Sequence, residues 1–209
     1  IYAEDGSAAM YDSPEGVAAL EWMRSFIDEG YSPSDVAIDA QYIAFKNGET
    51  SVTWDGIWQL NDLEAEEMPY GIAPIPTIGG QEAIWANSHQ FFMTTQATQD
   101  ENKSAAAQAF IAWMSEHSGD WAGAGMIPAR QSVRDSGVLD DTPQSVVAEQ
   151  IDSMRFLPPV PGLGAVQGEA LEPAIADAIL GNTDPADALA TAAEQGTALM
   201  EENLETFGG

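Results

Sequence analysis

The sequence predicts an α/β fold that is rich in helix and has a small mixed sheet. Apolar residues recur at helical spacing in several long segments that begin at good capping residues. Short runs of β-branched and aromatic residues lie between these segments and have the character of strands. Hydrophobic residues make up 44% of the 209 residues, which is enough for one good core or two small ones.

The charge of the chain is strongly one-sided. Six Lys and Arg stand against 34 Asp and Glu, for a net charge of −28. Because phosphate contacts need clustered cations, this balance excludes nucleic acid and anionic membrane surfaces as partners. The absence of Cys excludes disulfides, thiol catalysis and Cys-ligated metal. We expect no cofactor and no metal, no membrane-spanning segment and no signal peptide within these residues.

The first helix is predicted to begin at Ser13, which is a good N-cap because a proline and an acid follow it. Residues 1–12 before it are expected to be extended. Gly30 is predicted to end the helix. Trp22 and Phe26 are expected to be core residues of this helix, since large aromatics dominate cores.

A short helix over residues 39–46 is predicted to end at Gly48, and Ser51–Trp54 is predicted to be a strand. A new helix is expected near Ile57, with Trp58 in its first turn. Strand-to-helix junctions are where α/β sheets hold their ligand crevices. Position alone nevertheless favours a core role for Trp58.

Further along the chain, Tyr70–Ala73 has the pattern of a strand, and the pair Gly79 and Gly80 predicts a turn. Residues 100–117 form an unbroken apolar stripe at helical spacing. Trp113 and His117 lie on that stripe and are expected to be packing residues.

The segment Ala83–Thr95 is also predicted to be a strand. Its Trp85, Asn87 and His89 alternate, so they would share one face of the strand. One stacking surface beside amide and imidazole groups suits a sugar site. A hinge strand with satisfied polar groups explains the same pattern, and both interpretations stay open.

In the last third of the chain, Arg130 is one of few cations among many acids, which favours a structural ion pair over a ligand contact. Residues 156–164 contain too many prolines and glycines for regular structure. Helices are expected over residues 168–180 and from the N-cap Asp184 to about residue 204.

Several motifs in one order resemble a known family. Residues 45–58 fit the string F-x-x-G-E-x-x-V/M-x-x-x-G-x-W, and Y-G-I-A-P-I-P-T follows at residues 70–77. I-P-A-R stands at residues 127–130 and G-x-x-D-P-A-D-A-L at residues 181–189. Together these motifs resemble the C-terminal half of the extracellular solute-binding proteins of ABC importers, of the maltose-binding protein type. The resemblance extends over essentially the whole chain.

The resemblance implies the C-terminal lobe of a type II periplasmic-binding-protein-like fold, with the first lobe largely absent from this chain. Residues 1–82 and 126–209 would be the two parts of that lobe. Residues 83–125 would be the hinge strand and a helix that packs on the first lobe in the family. Because the chain starts at Ile1, we expect the export signal and the first lobe to be missing. Without that lobe the apolar stripe would need another partner, such as a second copy of the chain in a homo-oligomer.

The resemblance also assigns a site. In the family the Trp of the G-x-W step stacks on a sugar ring, which transfers that role to Trp58. Asp55 and Gln59 beside it become candidates for hydrogen bonds to sugar hydroxyls. Maltose-type relatives carry a second stacking Trp where this chain has Gln167 and Gly168. That contact would be absent or supplied from elsewhere, as by Trp85.

The function implied is the substrate-binding component of an ABC importer that binds a sugar or oligosaccharide between two lobes. Its partners would be the carbohydrate and a membrane permease, outside the cytoplasm, in the periplasm or anchored at the cell surface as a lipoprotein. One alternative is a receptor for a cationic solute such as a polyamine, which the net charge would attract. Another is a glycoside-processing enzyme. The enzyme is disfavoured, because 34 acids produce carboxylate pairs by chance and His89 has no recognisable nucleophile motif.

Overall fold

A computed structural model describes residues 1–207 of the chain. The chain divides into two compact units. The terminal unit consists of Ile1–Ile38 together with the chain from Leu157 onward, and the middle unit consists of Asp39–Phe156. The predicted boundaries after residues 82 and 125 are not tested by this division and stay a prediction.

The described residues are rich in helix, which confirms the predicted fold class. In chain order the helices are α1 Pro14–Asp28, α2 Ala40–Lys46, α3 Leu60–Ala65, α4 Thr95–Thr98, α5 Glu101–Glu116, α6 Gly119–Gly123, α7 Gln131–Arg134, α8 Ser145–Ala148, α9 Leu163–Val166, α10 Glu172–Ile179 and α11 Pro185–Phe207. Short 3₁₀ turns stand at Ile57–Gln59 and Ile151–Ser153. One π turn, Gln167–Leu171, joins α9 to α10. Strands β1 Ile84–Trp85 and β2 Met154–Arg155 pair in parallel.

The long helices begin at the residues that the capping pattern predicts. The Ser13 hydroxyl accepts the Gly16 N–H (3.1 Å) at the start of α1, and Gly30 has a φ of 77° just past its end. Asp184 Oδ1 accepts the Ala186 N–H (3.0 Å) at the start of α11. These bonds satisfy N–H groups that a helix cannot satisfy itself.

The terminal unit packs around one buried face of α11. Met200 on that helix and Ala178 on α10 are completely buried, and Tyr11 is 1% exposed. The Tyr11 hydroxyl finds a partner in the hydroxyl of Tyr2 (2.8 Å), so its burial leaves no polar group unpaired. Gly196 on α11 approaches Tyr11 so closely that a Cβ there would lie 3.1 Å from its ring.

The predicted core role of Trp22 and Phe26 is wrong, because both are exposed. Their rings pack edge to face against each other, with centroids 4.7 Å apart. Helix α1 buries Leu20 instead. Leu20 and Trp22 are two residues apart, so they point to nearly opposite sides of the helix. Helical spacing does identify the side of α1 that the core covers, because Leu20 is buried and Val17 packs against the core; the two aromatics lie off that side.

The middle unit has less strand than predicted. Ser51–Trp54 and Tyr70–Ala73 form no strand, and within Ala83–Thr95 only Ile84–Trp85 is paired. The partner of Ile84–Trp85 is Met154–Arg155, which is far away in the sequence. A β-strand forms by hydrogen bonding to a partner strand, and a partner that is far away in the sequence leaves no local signal. The turn at residues 79–80 is confirmed, since both glycines have positive φ.

Two buried glutamines hold backbone segments together in the middle unit. Gln150 Oε1 accepts the Ile75 N–H (2.9 Å), and Gln150 Nε2 donates to the Ile75 carbonyl (3.1 Å). Gln144 Nε2 donates to the Ala122 carbonyl (2.7 Å). An amide side chain carries both a donor and an acceptor, so Gln150 replaces the missing ladder partner of an extended segment.

Helix α5 is confirmed, with Asp100 Oδ1 accepting the N–H groups of the next helical turn. No residue of α5 is buried. Trp113 and His117 stack on each other, with centroids 4.2 Å apart, and both are exposed. Their predicted role as packing residues is therefore wrong among residues 1–207, where the stripe of α5 is met only in part, as by the ring of Phe91 edge to face on Phe110 (centroids 5.8 Å apart).

The predicted ion pair of Arg130 is also wrong. Within residues 1–207 its guanidinium lies near no carboxylate and donates instead to the hydroxyls of Ser132 (3.2 Å) and Ser115 (3.4 Å). Abundant acids in the sequence raise the chance of an ion pair but do not place one within reach.

Candidate functional site

Trp58 lies in the short turn Ile57–Gln59 that leads into α3. Its side chain is 58% exposed, so the core role that position alone favoured is wrong. The reason is local: α3 buries Leu60 and Leu63, and Trp58 precedes that buried face. A large aromatic is thereby held at the surface, where it can contact a ligand.

One face of the Trp58 indole lies against the backbone of Gly56. A Cβ at Gly56 would overlap Cζ2, Cζ3 and Cη2 of the indole. This contact was not predicted from the sequence. The spacing G-x-W was its only signal in the sequence.

Asp55 and Gln59 flank Trp58 along the chain. Asp55 is exposed, and its Oδ1 accepts the Gly56 N–H (2.7 Å). Gln59 is half-buried at the start of α3. The structure thus keeps Asp55, Trp58 and Gln59 within one turn of chain, with a carboxylate and an amide beside an aromatic ring.

The turn that carries Trp58 is supported from behind by the end of α6. Asn61 Nδ2 donates to the Ala124 carbonyl (3.0 Å). Gly125 has a φ of 81°, and a Cβ there would lie 3.1 Å from the Ile57 carbonyl oxygen. Only glycine takes this conformation readily and allows such a close approach. Asn61 and Gly125 were missed by the sequence analysis, although the glycines of residues 119–125 were a signal for close backbone contact.

Helix α3 is also attached to α2 through charged groups. Lys46 forms ion pairs with Asp62 (2.8 Å) and Glu66, and the Tyr42 hydroxyl donates to Asp62 (2.8 Å). The hydrogen bonds from Lys46 and Tyr42 lower the pKa of Asp62. Burial, and then the bond to Asp62, raises the pKa of Tyr42 to about 12. The bonds to Asp62 and Glu66 raise the pKa of Lys46. The cluster gives Asp62 on α3, and Glu66 just after it, a structural role.

The second predicted set lies on and after β1. Trp85 is 62% exposed, and Asn87 and His89 are exposed. Because the strand ends at Trp85, the chain after it is not constrained to the alternation of a strand. Asn87 Oδ1 accepts the N–H of the next residue (2.8 Å). Within the described residues no hydrogen bond or ring contact joins this set to Trp58, so the site roles of all six residues stay predictions.

Residues 1–207 contain no group of three or more His, Asp or Glu side chains placed to hold a metal ion. None of their helices is long and apolar enough to span a membrane. Two shallow cavities of about 330 and 320 Å³ are lined by side chains such as Thr197 and Arg134, respectively. Neither cavity includes a predicted site residue.

Comparison with protein families shows to which family the chain belongs. A family model described as bacterial extracellular solute-binding protein matches residues 2–147, well over half of the chain. The chain belongs to the bacterial extracellular solute-binding proteins. Members of this family are binding proteins, and membership implies a location outside the cytoplasm. Among curated proteins no sequence matched the chain.

Solved structures support the fold of this solute-binding protein. The cyclic alpha-maltosyl-1,6-maltose binding protein from Arthrobacter globiformis is similar at a TM-score of 0.72 and 22% identity, covering 96% of this chain and 52% of that protein. A cyclo/maltodextrin-binding protein complexed with maltotetraose is similar at a TM-score of 0.70 and 20% identity, covering 94% and 50%. The chain therefore spans about half the length of these proteins. At such identities the likeness shows the fold alone.

Proposed function

We propose that the chain supplies the Trp58 side of a carbohydrate site in the substrate-binding component of an ABC importer. The observation that carries the proposal is an exposed indole on a firmly held turn. Exposing a large aromatic costs hydrophobic stabilisation, so a surface Trp with a rigid support indicates a binding surface.

The chemistry around Trp58 suits a sugar. Pyranose rings have weakly apolar faces and a belt of hydroxyls. The indole offers a flat apolar surface for the ring face, and such contacts contribute about 0.5–1.5 kcal/mol beyond the area that they bury. Asp55 and Gln59 would accept from and donate to the hydroxyls at the edge of the ring. No chemical step is required of any of these residues.

Trp85, Asn87 and His89 form the second part of the proposal. They lie in another segment of the middle unit and present one ring and two polar groups to solvent. An oligosaccharide is long enough to engage two such surfaces. The solved relatives are described as binding cyclic alpha-maltosyl-1,6-maltose and maltotetraose, which favours an α-glucan oligosaccharide over a single sugar.

The transport role is proposed from family membership. The remaining half of a two-lobed protein would close over the ligand and exclude water from the stacking contact. The closed form would then be recognised by a membrane permease. Half of such a clamp should bind weakly, so affinity belongs to the full-length protein rather than to this chain alone.

Calorimetric titration of the full-length protein with maltotetraose tests the proposal. Trp58→Ala should weaken binding by about tenfold or more, which corresponds to a loss of about 1.4 kcal/mol. The matched control is Trp22→Ala, because Trp22 is an exposed Trp in the terminal unit. The control should bind like the parent protein. Equal affinities for Trp58→Ala and the parent would show that Trp58 does not hold the sugar.

The net charge of −28 favours a second candidate, a cationic solute such as a polyamine. The same titration with putrescine decides between the two. If putrescine binds, maltotetraose does not, and Asp55→Ala abolishes the putrescine signal, the ligand is a cation and the sugar proposal fails.

A further inference from the structure

Gly56 is glycine for a reason other than backbone freedom. Its φ of −82° and ψ of 149° are extended values that any residue adopts. A turn or a left-handed conformation therefore does not explain it. Nine other glycines within residues 1–207 do have positive φ, including Gly48 and Gly125. At Gly56 the requirement must come from what lies next to the Cα.

The neighbour of the Gly56 Cα is the ring of Trp58. A Cβ would overlap three consecutive atoms of the six-membered ring, at nearly equal separations from each. An atom approaching the edge of a ring in its plane would be much closer to one atom than to that atom's neighbours. Near-equal separations mean that the Cβ direction meets the flat face of the ring. Trp58 therefore rests one face of its indole on Gly56.

We propose that Gly56 is a positioning residue that turns Trp58 into a one-sided platform. The missing Cβ lets one ring face rest on the backbone and leaves the opposite face for a ligand. The effect on ligand binding rests on the proposed function, whereas the ring position does not. With alanine at this position the ring would rotate to another rotamer, and the same indole would present its edge or a tilted face.

The backbone on both sides of Gly56 favours ring movement over backbone movement. Asp55 Oδ1 holds the Gly56 N–H on one side. On the other side, Asn61 holds the Ala124 carbonyl and Gly125 lies against the Ile57 carbonyl. A side-chain torsion is softer than a backbone segment held at both ends. A Cβ at residue 56 would thus displace the exposed ring first.

NMR of the ligand-free protein tests the ring position. The Hα resonances of Gly56 should be shifted upfield by the ring current, and Trp58→Ala should remove that shift. Gly71 is the reference, because it has no positive φ and no atom within 4 Å of a Cβ position. Its Hα resonances should be unaffected by Trp58→Ala. If the Gly56 Hα shift is the same in the parent and in Trp58→Ala, the ring does not lie on Gly56 and the proposal is wrong. This measurement needs no substitution at Gly56.

Calorimetry with maltotetraose tests the consequence. Gly56→Ala should weaken binding by about tenfold, similar to removal of one good stacking contact. The control Gly71→Ala should bind like the parent. In the Trp58→Ala background, Gly56→Ala should have no further effect, because the two changes remove one contact. Thermal unfolding of the Gly56→Ala and Gly71→Ala proteins checks that both are folded.

The outcomes separate this proposal from the proposed function. If Trp58→Ala weakens binding but Gly56→Ala binds like the parent, Gly56 does not position the ring and the sugar site stands. If Trp58→Ala binds like the parent while the Gly56 Hα shift behaves as expected, the ring position stands and the sugar site is wrong. An additive loss in the double variant would show that Gly56 acts independently of Trp58, which contradicts positioning.

Discussion

The terminal and middle units differ in where their aromatic and apolar side chains lie. The terminal unit has one continuous core in which Tyr11, Val166, Ala178 and Met200 are almost fully buried. The middle unit buries scattered residues such as Tyr42, Leu60, Leu63 and Leu139. Most of its large aromatics are exposed, at Trp54, Trp58, Trp85, Phe91, Phe92, Phe110, Trp113, Trp121 and Phe156.

This difference indicates that the two units are stabilised in different ways. Apolar burial stabilises the terminal unit, since burying one large side chain contributes about 1.5–3 kcal/mol. The middle unit depends more on polar attachments such as those of Gln144, Gln150 and Lys46. Because most of its large aromatics are exposed rather than buried in a core, their surfaces can contact other molecules. The proposed site lies in that unit for this reason.

The largest expected effect is in the terminal core. Met200→Ala on α11 should lower the free energy of unfolding by about 2–5 kcal/mol, because it opens a cavity at a completely buried position. Phe92→Ala in the middle unit is the control, since Phe92 is 82% exposed. It should change the free energy by less than about 0.5 kcal/mol. Urea unfolding of both variants checks this, and equal losses would remove the contrast between the units.

An intermediate effect is expected at a polar attachment of the middle unit. Gln150 is 8% exposed, and Gln150→Ala would leave the N–H and the carbonyl of Ile75 without their partner. The free energy of unfolding should fall by about 1–3 kcal/mol, as for other unpaired buried polar groups. Gln108→Ala, on the exposed α5, is the matched control. Urea midpoints for the two variants measure the difference; a Gln150→Ala protein as stable as the control would show that this attachment contributes nothing.

The smallest effect should be a change in pH dependence. The pKa of Asp62 is lowered in the folded state by Lys46 and Tyr42, so its stabilisation is present above the unfolded pKa of about 3.9 and is lost as the pH falls through the lower folded value. Asp62→Asn should therefore reduce stability at pH 7 and flatten the acid limb of the stability curve.

Unfolding midpoints of Asp62→Asn and the parent, measured between about pH 2 and pH 7, would show this change. That range covers the titration of a carboxylate. Glu116→Gln on the exposed α5 is a matched neutralisation that should leave the shape of the curve unchanged. Since the side chains of Asp62 and Glu66 are about half exposed, added salt should reduce the difference between Asp62→Asn and the parent. An acid limb identical in both proteins would contradict the role of the cluster.

The sequence allowed the helices to be predicted and the strands only poorly. Ser13, Asp100 and Asp184 cap helices through bonds to nearby N–H groups, and such local signals are readable along the chain. Strand pairing is not local. Nothing near Ile84 reveals that Met154 is its partner. The same limit applies to burial, because a helical stripe such as that of α5 identifies an apolar face but not whether anything covers it.

Part of the candidate site was predictable. Trp58, Asp55 and Gln59 are close together because they are close in sequence, and the family resemblance singled them out. The support of Trp58 was not predictable. Ala124 and Gly125 are far from Trp58 in the sequence and are brought to it only by folding, through contacts to Asn61 and Ile57. Whether the segment of Trp85 joins the same site is a question of tertiary arrangement, which neither composition nor periodicity addresses.

A crystal structure of the full-length protein with bound maltotetraose tests the central claim most directly. A glucose ring should stack on the Trp58 face opposite Gly56. Asp55 or Gln59 should lie within hydrogen-bond distance of its hydroxyls, about 2.7–3.2 Å. A ligand bound without contact to Trp58, with the indole still resting on Gly56 and facing solvent, would contradict it.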